Sequence, residues 1–137
     1  MRFFDSNVLV YAATNQDERK RKIAVELIGH ALTVNHDGAI STQILSEFTN
    51  VMLEKSLAPV SQVEEWFTYF YRLIATDVTP DIIRSAVAVK QEYGIQFFDA
   101  IMVATAEKLG CHEIITEDLN DGQTYRGMVA LNPFRLS

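Results

Sequence analysis

The chain is short of several things, and each shortage excludes something. It holds a single cysteine, Cys111, among 137 residues. No internal disulfide can form, so stability must come from a core, and a reducing compartment, the cytoplasm, is the expected location. Cys111 also lacks a neighbouring motif for nucleophilic work and reads as an inert, partly buried thiol. With three prolines and six glycines there is no linker, low-complexity stretch or internal repeat. No apolar run is long and uncharged enough to span a bilayer, so no membrane partner is expected. The opening Met1-Arg2-Phe3-Phe4-Asp5 meets an acid at once, unlike a signal peptide. The three histidines, His30, His36 and His112, show no metal-ligand spacing and read as surface or partly packed residues.

Basic residues are also scarce, 12 against 18 acidic ones, for a net charge of −6. That disfavours a non-specific nucleic-acid binder with a basic surface. It weighs less against an enzyme whose acidic site supplies several of those charges. The one dense basic run, Arg19-Lys20-Arg21-Lys22, reads as a solvated helix face, with a phosphate-contacting patch as the alternative.

What is present is 48% hydrophobic residues, enough for one domain over residues 1–137 with a sizeable core. Strand-like pieces alternate with amphipathic helical ones. Met1–Asp5 reads as a strand, followed by a helix over Asn7–Ala13 capped by Ser6 or Asp5. Asp17–Asn35 has helical periodicity. Gly38–Ser41 is a short strand, and Thr42 caps a helix through Lys55. Ser61-Gln62-Val63-Glu64 matches a capping box ahead of an aromatic-rich helix. Ala75–Val78 reads as a strand, and Thr79-Pro80-Asp81 opens a helix that Gly94 ends. Phe97–Leu109 is a helix ended by Gly110. Glu113–Thr116 and Met128–Leu131 are late strands, with Asp121-Gly122 as a turn. The alternation argues for an α/β fold, a mostly parallel sheet with helices on both faces.

Within that frame four acids stand at element ends beside apolar runs: Asp5, Glu47, Asp99 and Asp118. Carboxylates are seldom buried without a partner. Ligands in parallel sheets bind beyond the carboxyl ends of strands, where Asp5 and Asp118 fall. Glu47 and Asp99 lie near the starts of helices that could flank the same crevice. An oxygen-only set of this kind suits a hard cation, Mg²⁺ or Mn²⁺, and points to metal-dependent phosphodiester chemistry. The alternatives are plain: Asp5 as a helix cap, Glu47 as a solvent-facing acid, Asp99 as a first-turn acid favoured by the helix dipole, Asp118 as a turn residue. Asp121 competes with Asp118, with turn chemistry as its expected role.

The pattern resembles the PIN-domain nucleases, above all the VapC-type toxins of toxin–antitoxin pairs. The matching pieces are Phe4-Asp5-Ser6-Asn7-Val8-Leu9-Val10-Tyr11, Ser46-Glu47-Phe48, Phe98-Asp99-Ala100 with Ile101 to Ala106, and Thr116-Glu117-Asp118-Leu119, with Asn132-Pro133-Phe134 in the tail. The resemblance implies a three-layer α/β/α fold with a central mostly parallel sheet. It implies an endoribonuclease that uses Mg²⁺ or Mn²⁺, forms a homodimer and is neutralised by a cognate antitoxin. Carried over, the catalytic and metal-site acids are Asp5, Glu47, Asp99 and Asp118, supported by Asn7 and Thr116. Asp5 and Asp99 are the expected direct ligands, with Glu47 and Asp118 acting through water or holding a second ion. Gln96 and Phe98 depart from the serine and tryptophan that the family often places ahead of the aspartate.

Two other functions compete. A catalytically inactive PIN-like module would bind a partner only, yet it need not keep all four acids. A phosphatase of the haloacid-dehalogenase type also places an aspartate after its first strand, but wants a second where this chain has Asn7. The aromatic run Trp66, Phe67, Tyr69, Phe70 and Tyr71 exceeds one helix face; it is read as core, or as a dimer or antitoxin surface.

Overall fold

The computed structural model describes residues 1–135. Its elements run β1 (Arg2–Phe4), α1 (Ser6–Ala13), α2 (Glu18–Thr33), β2 (Gly38–Ser41), α3 (Thr42–Glu54), α4 (Val60–Tyr71), β3 (Ile74–Thr76), α5 (Pro80–Tyr93), α6 (Phe97–Lys108), β4 (Glu113–Ile115), β5 (Thr124–Tyr125) and β6 (Met128–Leu131). Most helix ends carry the chemistry their sequence announces. Asp17 caps α2 by accepting from Lys20 N, and Thr79 caps α5 by accepting from Ile82 N, with Pro80 next in line. Gly94 ends α5 with a φ of 65°, a conformation open to glycine at no steric cost.

Two caps differ from expectation. Ser41, not Thr42, caps α3 through Ile44 N; the Thr42 hydroxyl instead accepts from Val78 N and ties down the chain after β3. The capping box at Ser61 does not form. Helix α4 starts one residue earlier at Val60, behind Pro59, whose fixed φ sets the entry and whose carbonyl accepts from Gln62 N and Val63 N. Strand β3 likewise lies slightly earlier than Ala75–Val78, because Ile40 N pairs with Leu73 O and draws Ile74 into the ladder.

The sheet order is β3-β2-β1-β4-β6-β5. Every pairing is parallel except β5 with β6. Phe3 and Phe4 are both fully buried, as a central parallel strand covered on its two faces requires. Helices α1 to α4 pack on one another, and α5 packs on α6. The connections through α1 to α4 step one way along the sheet, and the connection through α5 and α6 returns the other way. Right-handed crossovers in opposite directions put the two helix groups on opposite faces, giving the α/β/α layers. The direction reverses at β1, so the switch point, and the crevice it opens, lies between β1 and β4 at their carboxyl ends.

The aromatic helix α4 divides its side chains. Val63 and Phe70 enter the core, Trp66 and Tyr69 are half-buried around Phe70, and Phe67 and Tyr71 remain 41% and 64% exposed. Gly38 marks the tightest packing under α2. A Cβ there would stand 2.8 Å from Ala31 Cβ and 3.0 Å from Phe4 Cε2. Gly38→Val should therefore cost about 1–3 kcal/mol by overpacking, read as a lower urea midpoint; an unchanged midpoint would mean that this contact has slack.

Candidate functional site

The carboxyl ends of β1 and β4 bring the first pieces together. Asp5 N donates to Ile115 O at 3.0 Å, extending the strand pairing by one step. The Asp5 side chain is 4% exposed. It caps α1, accepting from Ser6 N at 2.6 Å, so the cap and site readings of this residue hold together. Its other oxygen accepts from Thr116 Oγ1 at 2.7 Å and from Asn7 Nδ2 at 3.4 Å. Thr116, fully buried, in turn accepts from Asp118 N at 3.0 Å. One hydroxyl thus couples the carboxylate after β1 to the loop after β4. The two supporting residues read from sequence, Asn7 and Thr116, both touch Asp5.

Asp99 comes from the first turn of α6 and Asp118 from the loop after β4. Asp5, Asp99 and Asp118 each offer a carboxylate oxygen, and these oxygens lie within 4.8 Å of one another. Glu47, on α3, stands outside this trio but lines the same cleft of about 630 Å³ together with Asp99 and Asp118. The structure therefore gathers three of the expected acids into one constellation and leaves the fourth on its wall.

Electrostatics follow from that placement. Burial pushes Asp5 up to about 6, against the lowering pull of the Thr116 hydroxyl, and the Asp118 and Asp99 charges add to the rise. Burial, followed by repulsion from Asp5, Asp99 and Asp118, pushes Glu47 up to about 7. Burial and then Asp118 also raise Asp99. A donor set made only of carboxylate oxygens, crowded enough to resist ionisation, fits a hard divalent cation that would relieve the repulsion.

The raised values set a pH dependence for the metal-free protein. The folded Asp5 and Glu47 hold protons that the unfolded chain, with values of 3.8 and 4.5, has released. Their contribution to stability is complete below those unfolded values and is lost as pH rises through about 6 and about 7. In chelator, thermal melting should therefore occur at higher temperature near pH 5 than near pH 8, by about 5 °C. Equal melting at the two pH values would contradict the raised carboxyls.

A second network braces the loop after β4, and sequence reasoning did not single it out. Glu117 accepts from Tyr11 Oη at 2.7 Å and from Lys20 Nζ at 3.0 Å. Lys20 Nζ also sits 4.6 Å from the Tyr11 ring centroid. The Phe134 ring packs on Tyr11 at 4.9 Å, and its carbonyl accepts from Arg19 Nη2. Three residues of the basic run thus have partners within the chain, for Arg21 makes a surface pair with Glu18 at 2.6 Å. Arg19 and Lys22 stay exposed, as on a solvated helix face, while Lys20 is drawn to Glu117. The only sequence signal was the position of Glu117 between Thr116 and Asp118.

The remaining candidates fall as read. Asp121 serves a turn, accepting from Asn132 N at 2.8 Å and pairing with Arg135 at 3.1 Å. His30, His36 and His112 are exposed. Cys111 is buried at 7% exposure, and burial pushes its thiol up. No helix among the described residues is long and apolar enough to cross a membrane.

Comparison with known proteins adds the family. The PIN domain family model matches residues 2–123. No curated protein matches the chain. Among solved structures, it is similar to a toxin–antitoxin complex from Klebsiella pneumoniae, at 20% identity and a TM-score of 0.68, over 99% of this chain and 100% of that one. It is similar to the sarcin–ricin-loop-cleaving toxin VapC20 of Mycobacterium tuberculosis, at 16% identity and a TM-score of 0.66, over 86% and 92% of the two chains. It is also similar to VapBC2 of Rickettsia felis bound to a fragment of its promoter DNA, at 13% identity and a TM-score of 0.64, over 94% and 96%. At such identities the likeness is one of fold. The family match spans the chain from β1 to the residue before β5, and with it the chain belongs to the PIN-domain family.

Proposed function

We propose that this chain is a divalent-metal-dependent endoribonuclease and the toxin of a toxin–antitoxin pair, a single PIN domain over residues 1–137 working in the cytoplasm. The observation that carries the reading is the convergence of Asp5, Asp99 and Asp118 oxygens within 4.8 Å at the switch point of a PIN-domain sheet. Asp5, Asp99 and Asp118 would hold Mg²⁺ or Mn²⁺, with Glu47 acting from the wall. When bound, such an ion supplies Lewis acidity toward water and the phosphate oxygens.

The residues themselves supply position. Ser6 N and Thr116 Oγ1 fix both Asp5 oxygens, leaving the carboxylate little rotational freedom. Thr116 also anchors Asp118 N, so the loop carboxylate keeps its place. Glu47, raised to about 7, is suited to taking a proton from an attacking water and returning it. No pair of histidines lines the cleft among the described residues to serve a ribose 2′-hydroxyl as base and acid, and a bound divalent ion would favour water by lowering its pKa. Water is therefore the nucleophile, and products should carry no 2′,3′-cyclic phosphate. Incubating the purified protein with RNA and Mg²⁺ or Mn²⁺, then analysing fragment ends, tests this. Cyclic phosphate ends, or no cleavage with either metal, would sink the reading.

RNA as substrate draws support from the similarity to a toxin that cleaves the sarcin–ricin loop, and an antitoxin partner from the similarity to toxin–antitoxin complexes. Membership of the PIN-domain family removes the phosphatase alternative. The inactive-module alternative loses ground because the acids are intact and converge. For a homodimer and its antitoxin, the exposed Phe67 and Tyr71 and the half-buried Trp66, which lines a pocket of about 310 Å³, provide apolar surface. Trp66→Glu should weaken the dimer or the partner complex about ten-fold or more, by sedimentation and partner titration. A folded variant with unchanged affinities would show that this helix face is merely exposed, and a collapsed one that Trp66 is core.

A further inference from the structure

The wall of the carboxylate cleft raises a question of affinity. None of the described residues lining it is lysine, arginine or histidine. Glu47, Asp99 and Asp118 line it, so it repels a phosphate backbone until a cation is bound. The dense basic run does not line the cleft either, and its Arg19, Lys20 and Arg21 already contact Phe134 O, Glu117 and Glu18. Nucleic-acid affinity usually comes from cations on phosphates. Here another source is needed.

The same wall presents Phe98. Its side chain is 65% exposed, although it directly precedes Asp99 in the sequence. The residue is held on both sides. Gln43 Nε2 donates to Phe98 O at 3.1 Å, joining α3 to the first turn of α6, and the Phe97 ring meets it edge-on at 6.1 Å. An exposed aromatic face on the wall of a cleft, carried on a backbone held by Gln43, offers what an unpaired base seeks, because every base has a π-face and stacking requires no charge. Exposed Gln96 and Asn120 lie on the same wall with polar groups for base edges.

We propose that Phe98 is the platform on which an unpaired base of single-stranded RNA stacks beside the scissile phosphate, which confines cleavage to unpaired segments. A duplex hides its base faces within its own stack and cannot use such a platform. The inference rests on the endoribonuclease reading of the site.

Phe98→Ala and Phe98→Trp test it, since a side chain this exposed can be replaced without unfolding the protein, and melting verifies that. Cleavage of a short unstructured RNA in Mg²⁺ should show KM raised about ten-fold or more in Phe98→Ala, with kcat changed far less, and restored in Phe98→Trp. Binding is read separately in Ca²⁺, with a fluorescent base analogue in the same RNA. The wild type should quench it, Phe98→Ala should not, and the base-paired form of the RNA should bind far more weakly. Wild-type affinity should fall only shallowly with salt. If the wild type cleaves RNA but Phe98→Ala keeps both KM and quenching, the platform is wrong and the nuclease reading stands. If Phe98→Ala instead loses dimer or antitoxin affinity with KM unchanged, Phe98 is a protein contact and the proposal is overturned. If the wild type cleaves no RNA, the nuclease reading itself fails.

Discussion

Asp99→Asn should abolish RNA cleavage, by more than about 100-fold, and leave the metal-free protein at least as stable. The lower bound comes from the ligands' own supports, whose removal typically costs 10–100-fold in metal affinity or activity; losing a ligand's charge costs more. The stability half follows from the repulsion Asp99 experiences. Burial and the Asp118 charge both disfavour its ionised form, and the amide is neutral at every pH. Asp5→Asn should lose activity as completely but gain no stability. Asp5 accepts from Ser6 N on one oxygen and from Thr116 Oγ1 on the other, and an amide offers only one acceptor for the two donors. RNA cleavage and thermal melting in chelator check both variants. Wild-type cleavage by either would remove that residue from the metal site, and a marked loss of stability in Asp99→Asn would mean that its carboxylate makes a structural bond.

How far these residues could be read from sequence depended on where their partners lay. Asp5 and Asp118 announced themselves because each follows an apolar strand, and Asp99 because it stands at the start of an apolar helix. Thr116 was named through the family resemblance, and its hydroxyl is found on Asp5. Glu47 was harder, since a helical position says which face a side chain occupies but not how deep the helix sits, and the helix places it on the wall rather than in the trio. Lys20 and Glu117 are separated by 97 residues, and no local pattern marks a contact of that range. The partners of Arg19 and Lys20 were invisible for this reason, lying in a tail and a loop far along the chain. The hairpin of β5 and β6 was missed because β5 is two residues long, shorter than any periodicity can register. Its turn signal was present in Arg126-Gly127, both with positive φ, the two-residue geometry that matches strand twist.

Removing the divalent ion should have an effect as large as removing Asp99, and a reversible one. In excess chelator cleavage should fall to background and return with Mg²⁺ or Mn²⁺, while Ca²⁺, with its looser coordination, should restore it poorly. The same ion should stabilise the fold, because it binds a site that the unfolded chain cannot assemble: Asp5, Asp99 and Asp118 span β1, α6 and the loop after β4. At 100 times its dissociation constant, a ligand of the native state adds about 2.7 kcal/mol, which for a chain of this size raises the melting temperature by about 9 °C. That gain should grow with pH, since protons and the cation compete for carboxylates held at about 6 and about 7. The metal-free protein should melt lower at pH 8 than at pH 5, and saturating Mg²⁺ should narrow or reverse the difference. Asp99→Asn should lose most of the metal-induced shift while keeping its fold. Cleavage that persists in excess chelator would require a metal-free mechanism. A metal-induced shift of full size in Asp99→Asn would place the ion elsewhere on the molecule.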